Sequence, residues 1–166
     1  MIFTDNVHDA FIGRTSGLEY DNAIMYAGTL KAPAKGETRK DILPGMVMKH
    51  LGNNVFTLYD GTGTPFGLSA LFVAPGFGKG GINQLGYANE FTVVVGNNNS
   101  TVYIKKEALD PNATFALNAT GAAVPVYANA DGRISNTGTA VVGHLLEVND
   151  NGTIKIQLAD PAKAEA

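Results

Sequence analysis

Three histidines, at positions 8, 50 and 144, are the side chains of this 166-residue chain best suited to proton transfer or metal ligation near neutral pH. No two of them stand at the i, i+2 or i, i+4 spacing by which one strand or helix presents a ligand pair. His8, between Asp5 and Asp9, reads as a solvated group, and His144, sharing a strand face with Val142, Leu146 and Val148, reads as a core or rim histidine. Serine chemistry is no better supported. Ser69 follows Gly67, but Leu71 stands where the Gly-x-Ser-x-Gly elbow needs its second glycine. The glycine-rich runs 61–67 and 76–81 precede no helical pattern, so neither offers a helix N-terminus to a phosphate, and the second reads as a surface loop. Asn129, Asp131 and Gly132 lack the leading acid and terminal glutamate of a calcium loop. With no cysteine, thiolate metal sites, thiol nucleophiles and disulfides are excluded. The residues predict no catalytic constellation, no metal site and no cofactor.

Charge excludes little but points the same way. Twelve basic and fifteen acidic side chains give a net charge of -3, and the densest basic cluster, Lys35, Arg39 and Lys40, is interrupted by Glu37 and Asp41. A nucleic-acid partner, which needs a concentrated basic patch, is not expected. Nor is a membrane, because no run of 18 apolar residues occurs. The first nine residues lack the basic and apolar regions of a signal peptide, so the reading is synthesis and retention in the cytoplasm. The five Asn-x-Ser/Thr sequons, at 98, 99, 112, 118 and 151, then read as a by-product of many turns.

The elements that would position these residues are short strands. Twenty glycines and fifteen asparagines supply the positive φ that tight turns demand. In Thr153 to Leu158, Ile154, Ile156 and Leu158 share one face, and Asn149-Asp150-Asn151-Gly152 joins this strand to Ala140–Val148 as a hairpin. Val124 to Asn129 and Arg133 to Ser135 flank a second turn, with Pro125 restricting its strand to an edge or a beginning. Phe91 to Val95 and Thr101 to Lys106 predict a hairpin across Gly96–Ser100, and Met46 to Leu51 and Val55 to Tyr59 another across Gly52–Asn54. Phe66 to Val73 adds a strand. The one helical candidate is Lys106 to Leu109, stopped by Asp110-Pro111. Short strands without helical crossovers predict an all-β barrel or sandwich-like module of short antiparallel strands with little helix.

Residues 1–22 follow neither period. Phe3, Phe11, Ile12, Leu18 and Tyr20 are spaced by polar residues, with Gly13 and Gly17 as punctuation, which suggests an arm whose apolar anchors serve another chain or fold back on their own domain. The expected division is an arm at 1–22, a β-rich domain at 23–159 and a tail at 160–166.

Leu43-Pro44-Gly45-Met46-Val47-Met48-Lys49, then Val55-Phe56-Thr57-Leu58, then Val126-Tyr127-Ala128-Asn129-Ala130-Asp131-Gly132-Arg133-Ile134 and Val142-Gly143-His144-Leu145-Leu146-Glu147-Val148 resemble capsid decoration (cement) proteins of tailed bacteriophages, over residues 24 to 158. The resemblance implies a compact β-tulip or barrel-like domain on the outer surface of an assembled head. Its partner would be the major capsid protein, and it would commonly stand as a homotrimer on local threefold axes. An N-terminal arm often adds to the capsid protein in this family, which by position alone implicates Ile2, Phe3, Phe11, Ile12, Leu18 and Tyr20. The chain exceeds the smallest members in length, and the 76–81 loop reads as an insertion. A carbohydrate- or receptor-binding virion module, and then a small β-fold hydrolase, are the alternatives that the residues leave open.

Overall fold

The computed structural model describes residues 18–21, 23–32, 34, 40–70, 90–97 and 99–160. These residues are organised as a closed five-stranded barrel and a six-stranded sheet laid against it. The barrel runs β2 (Ile24–Leu30), β4 (Val55–Leu58), β3 (Val47–His50), β5 (Gly67–Ser69) and β6 (Glu90–Val95), and closes where β6 returns to β2. The sheet has the order β1 (Leu18–Asp21), β7 (Thr101–Ile104), β11 (Ile154–Leu158), β10 (Ala140–Val148), β8 (Val124–Ala128) and β9 (Ile134–Ser135). The expected all-β, barrel-like class is what the chain adopts, and the helical candidate is a single 3-10 turn at Lys106–Ala108.

Two hydrophobic cores explain why these segments are strands. Inside the barrel, Leu30, Ile42, Met48, Phe56, Phe91, Val93 and Val95 pack together. Between barrel and sheet, Val47, Leu68 and Val94 meet Val102, Ile104, Val126, Leu145, Ile154, Ile156 and Leu158. Successive residues on a strand point to opposite faces, so β3 sends Met48 into the barrel and Val47 to the sheet, and β6 divides Val93 and Val94 likewise. Both faces of this shared wall are dry. That is why Phe91–Val95 reads as a nearly unbroken apolar run, whereas β11 alternates cleanly between buried and half-buried residues. Each fully buried large aliphatic or aromatic side chain contributes about 1.5–3 kcal/mol.

Several expectations are corrected by the pairing. Strands β6 and β7 do not form a hairpin. β6 pairs with β2 and β5 in the barrel, while β7 pairs with β1 and β11 in the sheet. The chain crosses between the two at 96–100, where Ser100 Oγ accepts the Asn97 N–H at 3.1 Å and a Cβ on Gly96 would lie 2.3 Å from the Ala159 carbonyl oxygen. The strands are not all antiparallel, since β2 runs parallel to β4, Leu30 beside Phe56. β2 lies in none of the strands read from the sequence. The hairpins β3–β4, β8–β9 and β10–β11 match the sequence reading. Pro125 lies on the part of β8 that β9 does not reach. Residues 71–73 of the expected Phe66–Val73 strand, and the 76–81 loop, lie outside the described residues.

Candidate functional site

His50, at the end of β3, is the histidine with the most developed environment. Its ring lies 5.2 Å from Phe56, 5.1 Å from Phe66 and 6.0 Å from Tyr26, between centroids. Those three rings are also within 5.5–5.7 Å of one another, so four rings close one end of the barrel interior. The edge-on Tyr26 contacts favour the ring quadrupoles. Its hydroxyl donates to Asn54 Oδ1 at 2.9 Å, tying the tetrad to the β3–β4 turn, where Asn53 and Asn54 both have positive φ. His50 Nε2 is buried without a hydrogen-bond partner among the described residues. The imidazole is thus a wall of an aromatic plug.

His144 is not a core residue. β10 carries a bulge between Val141 and Gly143 against β8, and another between Leu145 and Glu147 against β11. The first turns Val142 inward while His144 stays exposed, and the second leaves Leu146 outside the ladder and exposed, so simple alternation fails along this strand. His8 lies outside the described residues. Ser69, Ser100 and Ser135, the three serines within them, are all buried, which denies each the exposure a nucleophile requires. No group of three or more His, Asp or Glu side chains that could hold a metal occurs among the described residues.

The charged groups serve turns and strand faces. Lys49 Nζ donates to Asp60 Oδ1 at 2.7 Å and to Thr62 Oγ1 at 3.0 Å, and the same carboxylate accepts the Thr62 N–H. These donors, Lys49 first, hold the Asp60 carboxyl well below the usual range. The glycine run beginning at Gly61 is therefore an aspartate-capped turn. Asp110 is also lowered, chiefly by the Asn112 backbone N–H. On the outer face of the sheet, Tyr103, Lys155 and Glu147 lie side by side across β7, β11 and β10. The Tyr103 hydroxyl donates to Glu147 at 3.0 Å, and the Tyr103 contact followed by Glu147 raises the Lys155 ammonium above the usual lysine range. Asn129 Oδ1 accepts the Asp131 and Arg133 N–H groups, so the turn at 129–133, read as lacking a calcium loop's acids, is a hairpin closed on itself.

Of the anchors expected in the arm, Ile2, Phe3, Phe11 and Ile12 lie outside the described residues. Leu18 pairs with Ile104 at the start of β1, and Tyr20 is half-buried against the larger core. The end of the expected arm is thus stitched to the sheet. Surface apolar residues are spread over several elements: Ile24, Met25, Leu51, Leu117, Val141, Leu146 and Val148.

A family model described as phage cement protein matches residues 6–166. The chain belongs to the phage cement protein family. It is accordingly a structural protein of a phage virion, associated with the capsid. The match extends well beyond the 24–158 span on which the resemblance was read, taking in most of the arm and the whole tail. No curated protein and no solved structure matches this cement protein.

Proposed function

We propose that the protein binds the outer surface of an assembled phage head and cements neighbouring major capsid subunits. The observation that carries this reading is the family match, which spans both the folded domain and residues 6–17 ahead of it. In this reading the arm lies extended against the major capsid protein, where main-chain hydrogen bonds supply affinity and Ile2, Phe3, Phe11 and Ile12 fill apolar sites. Leu18 and Tyr20 fix its root, because β1 is hydrogen-bonded to β7 and Tyr20 packs on the core. Copies stand as homotrimers on local threefold axes, so each touches more than one capsid chain, and linked weak contacts gain about a hundredfold or more in avidity. Binding the assembled lattice in preference to free subunits stabilises it by mass action. Made in the host cytoplasm, the protein joins the head from outside.

The test heats heads with and without saturating protein, at low and high salt, and follows DNA release. Decorated heads are expected to release DNA at higher temperature under both conditions, since apolar anchors are insensitive to screening. Equal melting of bare and decorated heads overturns the reading. Deleting residues 2–17, which spares β1, is expected to abolish head binding while the domain still melts cooperatively.

A further inference from the structure

A groove of about 440 Å³ opens at one end of the six-stranded sheet, within the range of cavities that hold small ligands. Its lining includes Leu109, Pro111, Ala113, Phe115, Val148 and Ile154. These residues come from the loop after the 3-10 turn and from the β10–β11 hairpin. Val148 is 41% exposed although it is apolar, and Phe115 is half-buried against the larger core. The groove is thus an apolar site with a floor already fixed by the fold.

The register says what stands nearest to it. Leu18 pairs with Ile104 on β7, and Ile104 pairs in turn with Ile154 of the groove. Leu18 therefore lies two strand spacings, about 10 Å, from the groove. β1 is antiparallel to β7, so the chain preceding Leu18 leaves the sheet at the end where β7 leads into the 3-10 turn, which is the groove's end. Seventeen residues precede Leu18, with the adjacent apolar pair Phe11-Ile12 six and seven residues back and Gly13 and Gly17 between. Six extended residues reach about 20 Å, twice the distance required, and the glycines permit the chain to turn back.

We infer that in the free protein Phe11 and Ile12 of the same chain seat in this groove, and that they leave it when the arm engages the capsid. Tethering favours the chain's own arm over a second copy's, because the effective concentration across so short a span is millimolar. The occupied groove covers apolar surface while the protein is in solution and withholds the arm until a competing site is offered. Its consequence for the head rests on the proposed arm contact, but occupancy of the groove does not.

The chain contains no tryptophan, so Phe11→Trp introduces a single indole, excited selectively beyond the absorption of the six tyrosines. Its emission in the free protein is expected to be blue-shifted, protected from acrylamide and independent of protein concentration. Val148→Asp, and separately Thr114→Arg at the exposed rim, are expected to return the emission to that of an indole in water without loss of cooperative melting. A water-like emission before the groove is altered, or one unmoved by both substitutions, overturns the inference. Protection that rises with protein concentration also overturns it, by assigning the groove to a second copy. In head binding, freeing the arm raises the apparent affinity by the reciprocal of its free fraction, a severalfold gain for Val148→Asp. Loss of that gain with the spectroscopic result intact would count against the capsid contact and not against the groove.

Discussion

Replacing Gly28 by alanine tests how the barrel is closed. Gly28 lies on β2 opposite Phe91 of β6, one residue before the start of the parallel pairing with β4. A Cβ there would lie 2.3 Å from the Asn54 carbonyl oxygen and 2.5 Å from Cε2 of Phe56, whose side chain is fully buried. The Asn54 oxygen also accepts the Thr29 N–H at 2.8 Å, so it cannot retreat without weakening that bond. Overpacking of this kind costs about 1–3 kcal/mol and the hydrogen bond adds about 1 kcal/mol. Restricting the unfolded chain returns about 0.4–1 kcal/mol. The net expectation is a loss of about 1–3.6 kcal/mol, or about 2–14 °C in Tm for a chain of this size. Urea melts of Gly28→Ala beside Gly121→Ala provide the assay. Gly121 has φ +77° and open space around the added carbon, so its substitution measures backbone strain alone, about 1 kcal/mol. If Gly28→Ala costs no more than its control, barrel closure does not depend on this approach of β2 to the β3–β4 turn, and the steric argument is wrong.

Two further substitutions probe groups described above. His50→Phe removes a buried nitrogen that has no partner among the described residues, and is expected to raise stability by about 1 kcal/mol in urea melts; destabilisation would show that the nitrogen is paired or that the ring site is too tight. For Asp60 the folded carboxyl titrates below its unfolded value, so its stabilisation is present above about pH 4 and is lost as pH falls further. Asp60→Asn should flatten the fall in unfolding midpoint between pH 4 and pH 2, by less than about 1 kcal/mol because the carboxylate is largely solvated. An unchanged acid limb would remove Asp60 from the account.

Local signals in the sequence reported local structure well. Asn149–Gly152 and the period-2 run after it identify β10–β11, because a turn and its flanking strands are one short-range unit. The same logic misassigned 96–100, since a loop of turn-forming residues looks alike whether it joins partners or carries the chain to another sheet. The bulges in β10 hid the exposure of His144, for an inserted residue shifts the face of all that follow. The aromatic tetrad was illegible for a different reason. Tyr26, His50, Phe56 and Phe66 come from three strands and a loop, and nothing in their spacing announces that they meet. Gly28 did carry a signal, a glycine inside an apolar strand, which marks close backbone approach.

The shared wall of β3, β5 and β6 has a consequence for how strand register is encoded. In a sheet with one wet face, a slip by one residue drives polar groups into the core, and polarity itself rejects the error. Here a slip along β6 exchanges Val94 for Val93 or Val95, one apolar group for another, and only Glu90 and Thr92 at the start of the strand carry a polar signal. Size must then carry the information. Gly67 is a notch in the wall, where a Cβ would lie 2.5 Å from the Val94 carbonyl oxygen and 2.6 Å from Val93 Cγ1. Shifting β6 against β5 would bring a different residue to that notch and would offer the bulk of Phe91 to the wrong core. Drift among aliphatic residues, harmless on most sheets, is therefore the change this wall can least absorb. Its register is written in volumes and in the absence of a single methyl group.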